Sequence, residues 1–161
     1  MSKKYNEPAG LTNVAKFHDT FGAPVLDTPT IPSQDRCELR VSLIQEELNE
    51  LKDAIADNDM VEVADALADI QYVLSGAILE FGLADRFKEI FDEVQRSNMS
   101  KTCKSMEEAE KTSAHYKETK GVESRIVEKN GEYLVYRIPD DKVLKSIAYS
   151  PADLKRIVER S

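Results

Sequence analysis

The chain has 161 residues, 32% of them charged and 41% hydrophobic, a balance that excludes disordered and fibrous classes. Its 22 basic and 30 acidic residues leave a formal net charge of −8, which argues against binding a nucleic-acid polymer through its phosphate backbone. A chain of this length is expected to bury roughly 70% of its unfolded surface, enough for one ordinary core.

Leu11, Val14, Phe17 and Phe21 recur at helical spacing and predict a first helix over 11–21, ending near Gly22. Pro24, Pro29 and Pro32 make the following stretch an extended connector, with Ser33 as an N-cap for the next helix. From Gln34 to about Ala56 there is no Gly or Pro, and Leu39, Leu43, Ile44, Leu48, Leu51 and Ile55 mark one apolar face. Asp57-Asn58-Asp59 reads as a turn, and Asp59 as the cap of a helix from Met60 to about Phe81, stopped at Gly82. A fourth helix over about 84–97 follows. Ser105 with Glu108 forms an S-x-x-E box opening a fifth, which ends near Gly121.

After Gly121 the pattern changes to β-prone runs on either side of Asn130-Gly131, a dipeptide suited to a type I′ turn. Lys142 to Ile147 predicts a third strand, and Ser150-Pro151 a last helix with Ser at N-cap. The expected architecture is mainly α: a bundle of four to five helices over 1–121, then a small β-meander and terminal helix over 122–161. The most apolar segment, Val73 to Ala84, is broken by Ser75, Gly76, Glu80 and Gly82, well short of the roughly 18–20 residues of a membrane span. No apolar stretch follows the basic residues at the N-terminus, and Cys37 and Cys103 form no CxxC pair. A cytoplasmic protein with no membrane partner is the expectation.

The acid is unevenly placed. Projected down the second helix from Leu43, Glu47 lies about 40° round, inside the apolar arc, with Glu50 at its border and Glu46 just outside. The third helix is apolar nearly all round, the pattern of a buried helix, except for a polar stripe holding Glu62, Asp65 and Asp69. A carboxylate inside a core-facing stripe costs several kcal/mol unless paired or bound to a cation. Glu47 with Glu50, and Glu62 with Asp65, form carboxylate pairs at i, i+3 on antiparallel neighbours, a donor set suited to Mg²⁺ with Mn²⁺ as substitute. A capping box from Asp59 to Glu62 and a solvated face over Glu46–Lys52 are the structural alternatives. A di-iron site would need Glu-x-x-His, yet Ala15 and Thr112 precede His18 and His115. Metal-assisted hydrolysis of a phosphate ester remains.

Glu46-Glu47-Leu48-Asn49-Glu50 followed by Glu62-Val63-Ala64-Asp65 resembles the EExxE…ExxD signature of the all-α NTP pyrophosphohydrolase superfamily, which includes MazG-like enzymes, dimeric dUTPases and phosphoribosyl-ATP pyrophosphohydrolase. The likeness extends from about Val14, through Phe17-His18 and Ala64–Ile70 with Tyr72 and Gly76, to Ser97-Asn98-Met99-Ser100-Lys101. It implies a MazG-like bundle, a nucleotide substrate, Mg²⁺, and a homodimer or homotetramer. It further implies that Glu47, Glu50, Glu62 and Asp65 hold the metal, that Glu46 orients or deprotonates water, and that Asp69 is a further metal or substrate contact. Asn98 and Lys101 would reach the phosphates and His18 the base, with Tyr72 read as packing. The segment after Gly121 lies outside the resemblance.

Overall fold

A computed structural model describes residues 3–160. The described residues are mainly helical, with six helices and one two-stranded hairpin, and divide into two compact units at Lys88/Glu89, within the fourth helix.

The first unit contains α1 (Gly10–Phe21), α2 (Gln34–Ala56), α3 (Met60–Glu80) and the start of α4 (Ala84–Met99). α3 packs on both α1 and α2. The turn between α2 and α3 is fixed by Asn58 at φ 54° and by Asp59, whose carboxylate accepts from Val61 N at 2.9 Å and Glu62 N at 3.2 Å. Ser33 stands at the N-cap of α2 but makes no side-chain capping bond; it hydrogen-bonds Asp35 instead. The proline-bearing connector is tied to the end of α3, with Leu26 N donating to Leu79 O and Thr30 N to Phe81 O, both at 3.1 Å. Gly82 makes that docking possible: it has φ +65°, and a Cβ there would lie 1.9 Å from the Thr28 carbonyl oxygen.

α3 departs from the expectation of burial. Its second half is buried through Ser75, Gly76, Ile78, Leu79 and Glu80, but its first half leaves apolar side chains in the open, Val61 at 75% and Leu67 at 52% exposure. Val41, Leu48 and Ile55 of α2 are exposed as well, at strict seven-residue spacing. Two long helices and a short one form too few layers to cover an α3 that is apolar nearly all round.

The second unit comprises the remainder of α4, α5 (Met106–Lys120), β1 (Ser124–Lys129), β2 (Glu132–Arg137) and α6 (Leu154–Val158). Gly121 ends α5 at φ 63°, and Asn130 and Gly131 turn the hairpin at φ 55° and 78°, so that Ser124 faces Arg137 and Lys129 faces Glu132. α5 packs on both strands over a core of Cys103, Ala109, Val135 and Leu144. The change of pattern at Gly121 is therefore one of secondary-structure type; in packing, α5 goes with the hairpin.

Two sequence expectations are corrected here. The third strand is reduced to a single bridge, Tyr136 to Val143, because the outer edge of β2 is shared between that segment and Cys103, which bridges Tyr133. Further on, Ile147 N donates to Thr112 Oγ1 at 3.1 Å, so a side chain of α5 takes a backbone donor a ladder would need, while the Ser146 hydroxyl ties the segment to Glu108. The last helix starts at Leu154 rather than after Ser150. Its N-cap is Asp153, and the Ser150 amide donates instead to Ser100 Oγ at 3.0 Å.

Candidate functional site

The face of α3 that carries Asp65, Asp69, Tyr72 and Gly76 repeats at steps of three and four residues, and α2 supplies Arg36, Arg40, Leu43, Glu47 and Glu50 at similar steps. Because the helices run antiparallel, Glu80 and Gly76 meet the arginine end of α2 and Asp65 and Asp69 its glutamate end.

At the glutamate end, Glu47 is half-buried, and its Oε2 is fully buried with no hydrogen-bond partner. Burial pushes the acid of Glu47 up, and the neighbouring carboxylates of Glu50, Asp69, Glu46 and Asp65 push it further in the same direction. Asp69 is half-buried; Glu46, Glu50, Glu62 and Asp65 are exposed. Glu62 sits in the first turn of α3, its amide on Asp59, and is not among the groups that act most strongly on Glu47. Among the described residues no three His, Cys, Asp or Glu side chains converge closely enough to hold a metal ion. The carboxylates share a region but splay. An all-carboxylate donor set with one buried, unsatisfied oxygen fits a hard divalent cation, and the exposed members are long enough to turn toward one.

The arginine end is self-neutralising. Glu80, at 1% exposure, accepts from both Arg36 and Arg40. Burial pushes the Glu80 acid up, but the hydrogen bonds and charges of Arg40 and Arg36 outweigh it and hold the carboxyl below its ordinary range. His18, at 2% exposure, donates from Nδ1 to the Pro24 carbonyl at 2.8 Å, while its Nε2 lies 3.5 Å from Arg40. That pairing suits the Nδ1–H tautomer. His18 thus braces the connector from inside the first unit, where it is shielded from a solvent-borne ligand. Gly76 admits this network, since a Cβ there would lie 2.7 Å from Arg40 Nη1 and 3.1 Å from His18 Nε2. Sequence reading missed Arg36, Arg40 and Glu80; the signal was a lone glutamate inside the apolar run from Val73 to Ala84.

Tyr72 packs edge-on against Phe17 at 5.7 Å, and Phe17 lies 4.4 Å from Phe21; all three rings are partly exposed. In the second unit, Asn98 stands exposed in the last turn of α4 and Lys101 lies half-buried beyond the helix, with Lys101 Nζ donating to Asn98 Oδ1 at 2.7 Å.

The sequence pattern of the phosphoribosyl-ATP pyrophosphohydrolase family matches residues 14–98, which covers the last eight residues of α1, all of α2 and α3, and nearly all of α4. The chain belongs to this family. Phosphoribosyl-ATP pyrophosphohydrolase family members are pyrophosphohydrolases and are typically Mg²⁺-dependent. The match contains every carboxylate from Glu46 to Asp69 and ends at Asn98, short of Lys101. The chain is also 40% identical over 76 residues to an uncharacterized protein of Acanthamoeba polyphaga mimivirus, a stretch that is 44% of this chain and 30% of that relative. It therefore spans about a third of the length of the curated relative it matches.

Proposed function

We propose that the protein is a Mg²⁺-dependent nucleoside triphosphate pyrophosphohydrolase, converting a (d)NTP or related nucleotide to the monophosphate and pyrophosphate. The observation that carries this is the Glu47 carboxylate, half-buried among Glu46, Glu50, Asp65 and Asp69 with one oxygen unsatisfied, in a chain of this family. Glu47, Glu50, Glu62 and Asp65 would hold Mg²⁺, or Mn²⁺ in its place, whose charge would neutralise phosphate oxygens and lower the barrier to attack by water. Glu46, exposed beside Glu47, orients or deprotonates that water. Asp69 provides a further metal or substrate contact, and Asn98 and Lys101 take phosphate oxygens. His18 acts indirectly, by holding the connector that follows α1.

Phosphoribosyl-ATP is the second substrate reading, favoured by the family to which residues 14–98 belong. Incubating pure protein with (d)NTPs and phosphoribosyl-ATP, each with Mg²⁺ or Mn²⁺, separates these readings by which nucleotide releases pyrophosphate. Release from none at high enzyme concentration rejects both, and metal binding by calorimetry without turnover would then mark a non-catalytic scaffold or nucleotide-binding regulator.

A second copy of the chain is the proposed cover for the exposed apolar side chains of α2 and α3, giving a homodimer or homotetramer. Val41, Leu48 and Ile55 at heptad spacing form the kind of seam that a partner helix fills.

A further inference from the structure

The C-terminal segment of the second unit is laced to the last turns of α4. Asp153 N donates to Glu93 Oε1 at 2.8 Å, Arg96 Nη2 to the Pro151 carbonyl at 3.0 Å, and Ser150 N to Ser100 Oγ at 3.0 Å. This lacing seats the Tyr149 hydroxyl 3.0 Å from the buried Ser97 hydroxyl, next in sequence to Asn98. Lys145 Nζ lies 4.2 Å from the centre of the Tyr149 ring.

Most cations of this unit already serve a carboxylate: Arg96, Lys104, Lys111, Lys117, Arg125 and Arg137 are all paired. Lys101 and Lys145, like Lys120, Lys129 and Lys142, have no carboxylate partner among the described residues, and these two act on the same phenol. The Ser97 hydrogen bond first, and then Lys145 and Lys101, pull the Tyr149 acid below its usual range against the effect of burial. Either hydroxyl can donate in the Ser97–Tyr149 bond; where Ser97 donates, the phenol's own proton is left to be donated outward. Two ammonium groups without a carboxylate partner, a phenol hydroxyl and the Asn98 amide are the chemistry of a phosphate site.

We propose that Lys145 and Tyr149, from the segment beyond the family match, join Asn98 and Lys101 in a site for the oxygens of pyrophosphate or of a nucleotide's polyphosphate. The assignment rests on the reading of Asn98 and Lys101 as phosphate contacts. It gives the C-terminal segment a role in binding: Lys145 supplies charge, Tyr149 supplies a directed donor, and Ser97 positions Tyr149.

The test is calorimetric titration of inorganic pyrophosphate into the full chain in EDTA at low salt, where metal-free carboxylates repel the anion. Wild type binds. Lys145→Gln weakens binding about five- to tenfold and Tyr149→Phe about three- to fivefold, the range for charged and neutral hydrogen bonds at a half-exposed site. Lys129→Gln, which removes an unpaired lysine at the hairpin turn, changes it less than twofold. Lys145 is exposed and Phe keeps the ring of Tyr149, so unchanged thermal melting in both variants confirms that folding is intact. No pyrophosphate binding by wild type, or equal losses in the Lys145 and Lys129 variants, overturns the proposal. Turnover on the nucleotide panel is scored separately. Pyrophosphate binding that depends on Lys145, with no hydrolysis of any nucleotide, rejects the enzymatic reading and keeps the anion site.

Discussion

Replacing Glu80 by Gln leaves the shape of the side chain and removes the charge on which two arginines converge. Arg36 is 30% exposed and can turn its guanidinium to water, so its loss is small. Arg40 has 9% exposure, and its Nε is already buried without a hydrogen-bond partner, so it keeps a full charge with no counter-ion. Breaking a buried pair from one side costs about 3–5 kcal/mol, and a Gln oxygen that still accepts one bond places this variant near the lower bound, about 3 kcal/mol. For a chain of this size that corresponds to a fall of roughly 6–12 °C in Tm.

The readout is urea unfolding of wild type and Glu80→Gln across pH. Glu80 is held below its ordinary range in the fold, so its contribution is fully present above the unfolded value of 4.5 and is lost as pH falls through the lower folded value. The gap between the two proteins should therefore be widest at neutral pH and close only in strong acid. Replacing both sides, Arg40→Met with Glu80→Leu, should recover most of the loss, because no buried charge is then orphaned. A Glu80→Gln protein within about 1 kcal/mol of wild type at pH 7, or a gap that does not vary with pH, would refute the reasoning.

Glu47→Gln and Asp65→Asn should each abolish turnover of whichever nucleotide the wild type cleaves. Since Glu47 is raised in the fold, its ionised form destabilises the metal-free protein, so Glu47→Gln in EDTA should be about 0.5–1 kcal/mol more stable at pH 7, with the gain fading as pH falls through the raised folded value and gone below the ordinary value of 4.5. Denaturant melts showing strong destabilisation instead would assign Glu47 a structural role. Leu48→Glu with Ile55→Glu should shift the light-scattering mass to that of a single chain, and an unchanged mass would exclude that seam as the contact between copies. Gly76→Ala should lower stability by about 1–3 kcal/mol, although Ala gains about 1 kcal/mol in helix propensity, because Arg40 is pinned to Glu80 and cannot yield; a neutral result in chemical denaturation would show that it can.

What the sequence made legible was local. Gly22, Gly82 and Gly121 stop helices with positive φ, Asn130-Gly131 turns the hairpin, and Asp59 caps α3 through its own carboxylate. The half-burial of Glu47 followed from a projection of one helix, since the periodicity of that helix decides which side chains face its neighbour. Partner choice across the chain was not legible. The counter-ions of Glu80 lie 44 and 40 residues away, and nothing in the run around it distinguishes Arg36 and Arg40 from other cations. The third strand failed for a related reason: Lys142–Ile147 has strand-like alternation, but α5 holds the segment instead, Thr112 taking the Ile147 amide and Glu108 the Ser146 hydroxyl. The exposed face of α3 is a further case, because hydropathy says that a face is to be covered and not whether the cover lies in the same chain.

The two ends of the α2–α3 pair explain each other. Like charges on adjacent helices would ordinarily relax by a small slide or rotation, since the Coulomb term falls with distance while the apolar contacts are non-directional. Here Arg36 and Arg40 grip Glu80, and Gly76 lets α3 approach so closely that the guanidinium leaves no room even for a methyl group. With the register locked at that end, Glu47 cannot withdraw from Asp65 and Asp69, and its buried oxygen cannot reach water. What the exposed carboxylates do not relieve by turning to water, a proton or a cation can. Around neutral pH protons are scarce, so on the proposed reading of this end as a Mg²⁺ site the locked arginine end would favour the cation more than composition alone does. The charge of −8 that argued against a nucleic-acid polymer is, in this part of the molecule, a concentrated demand for positive charge.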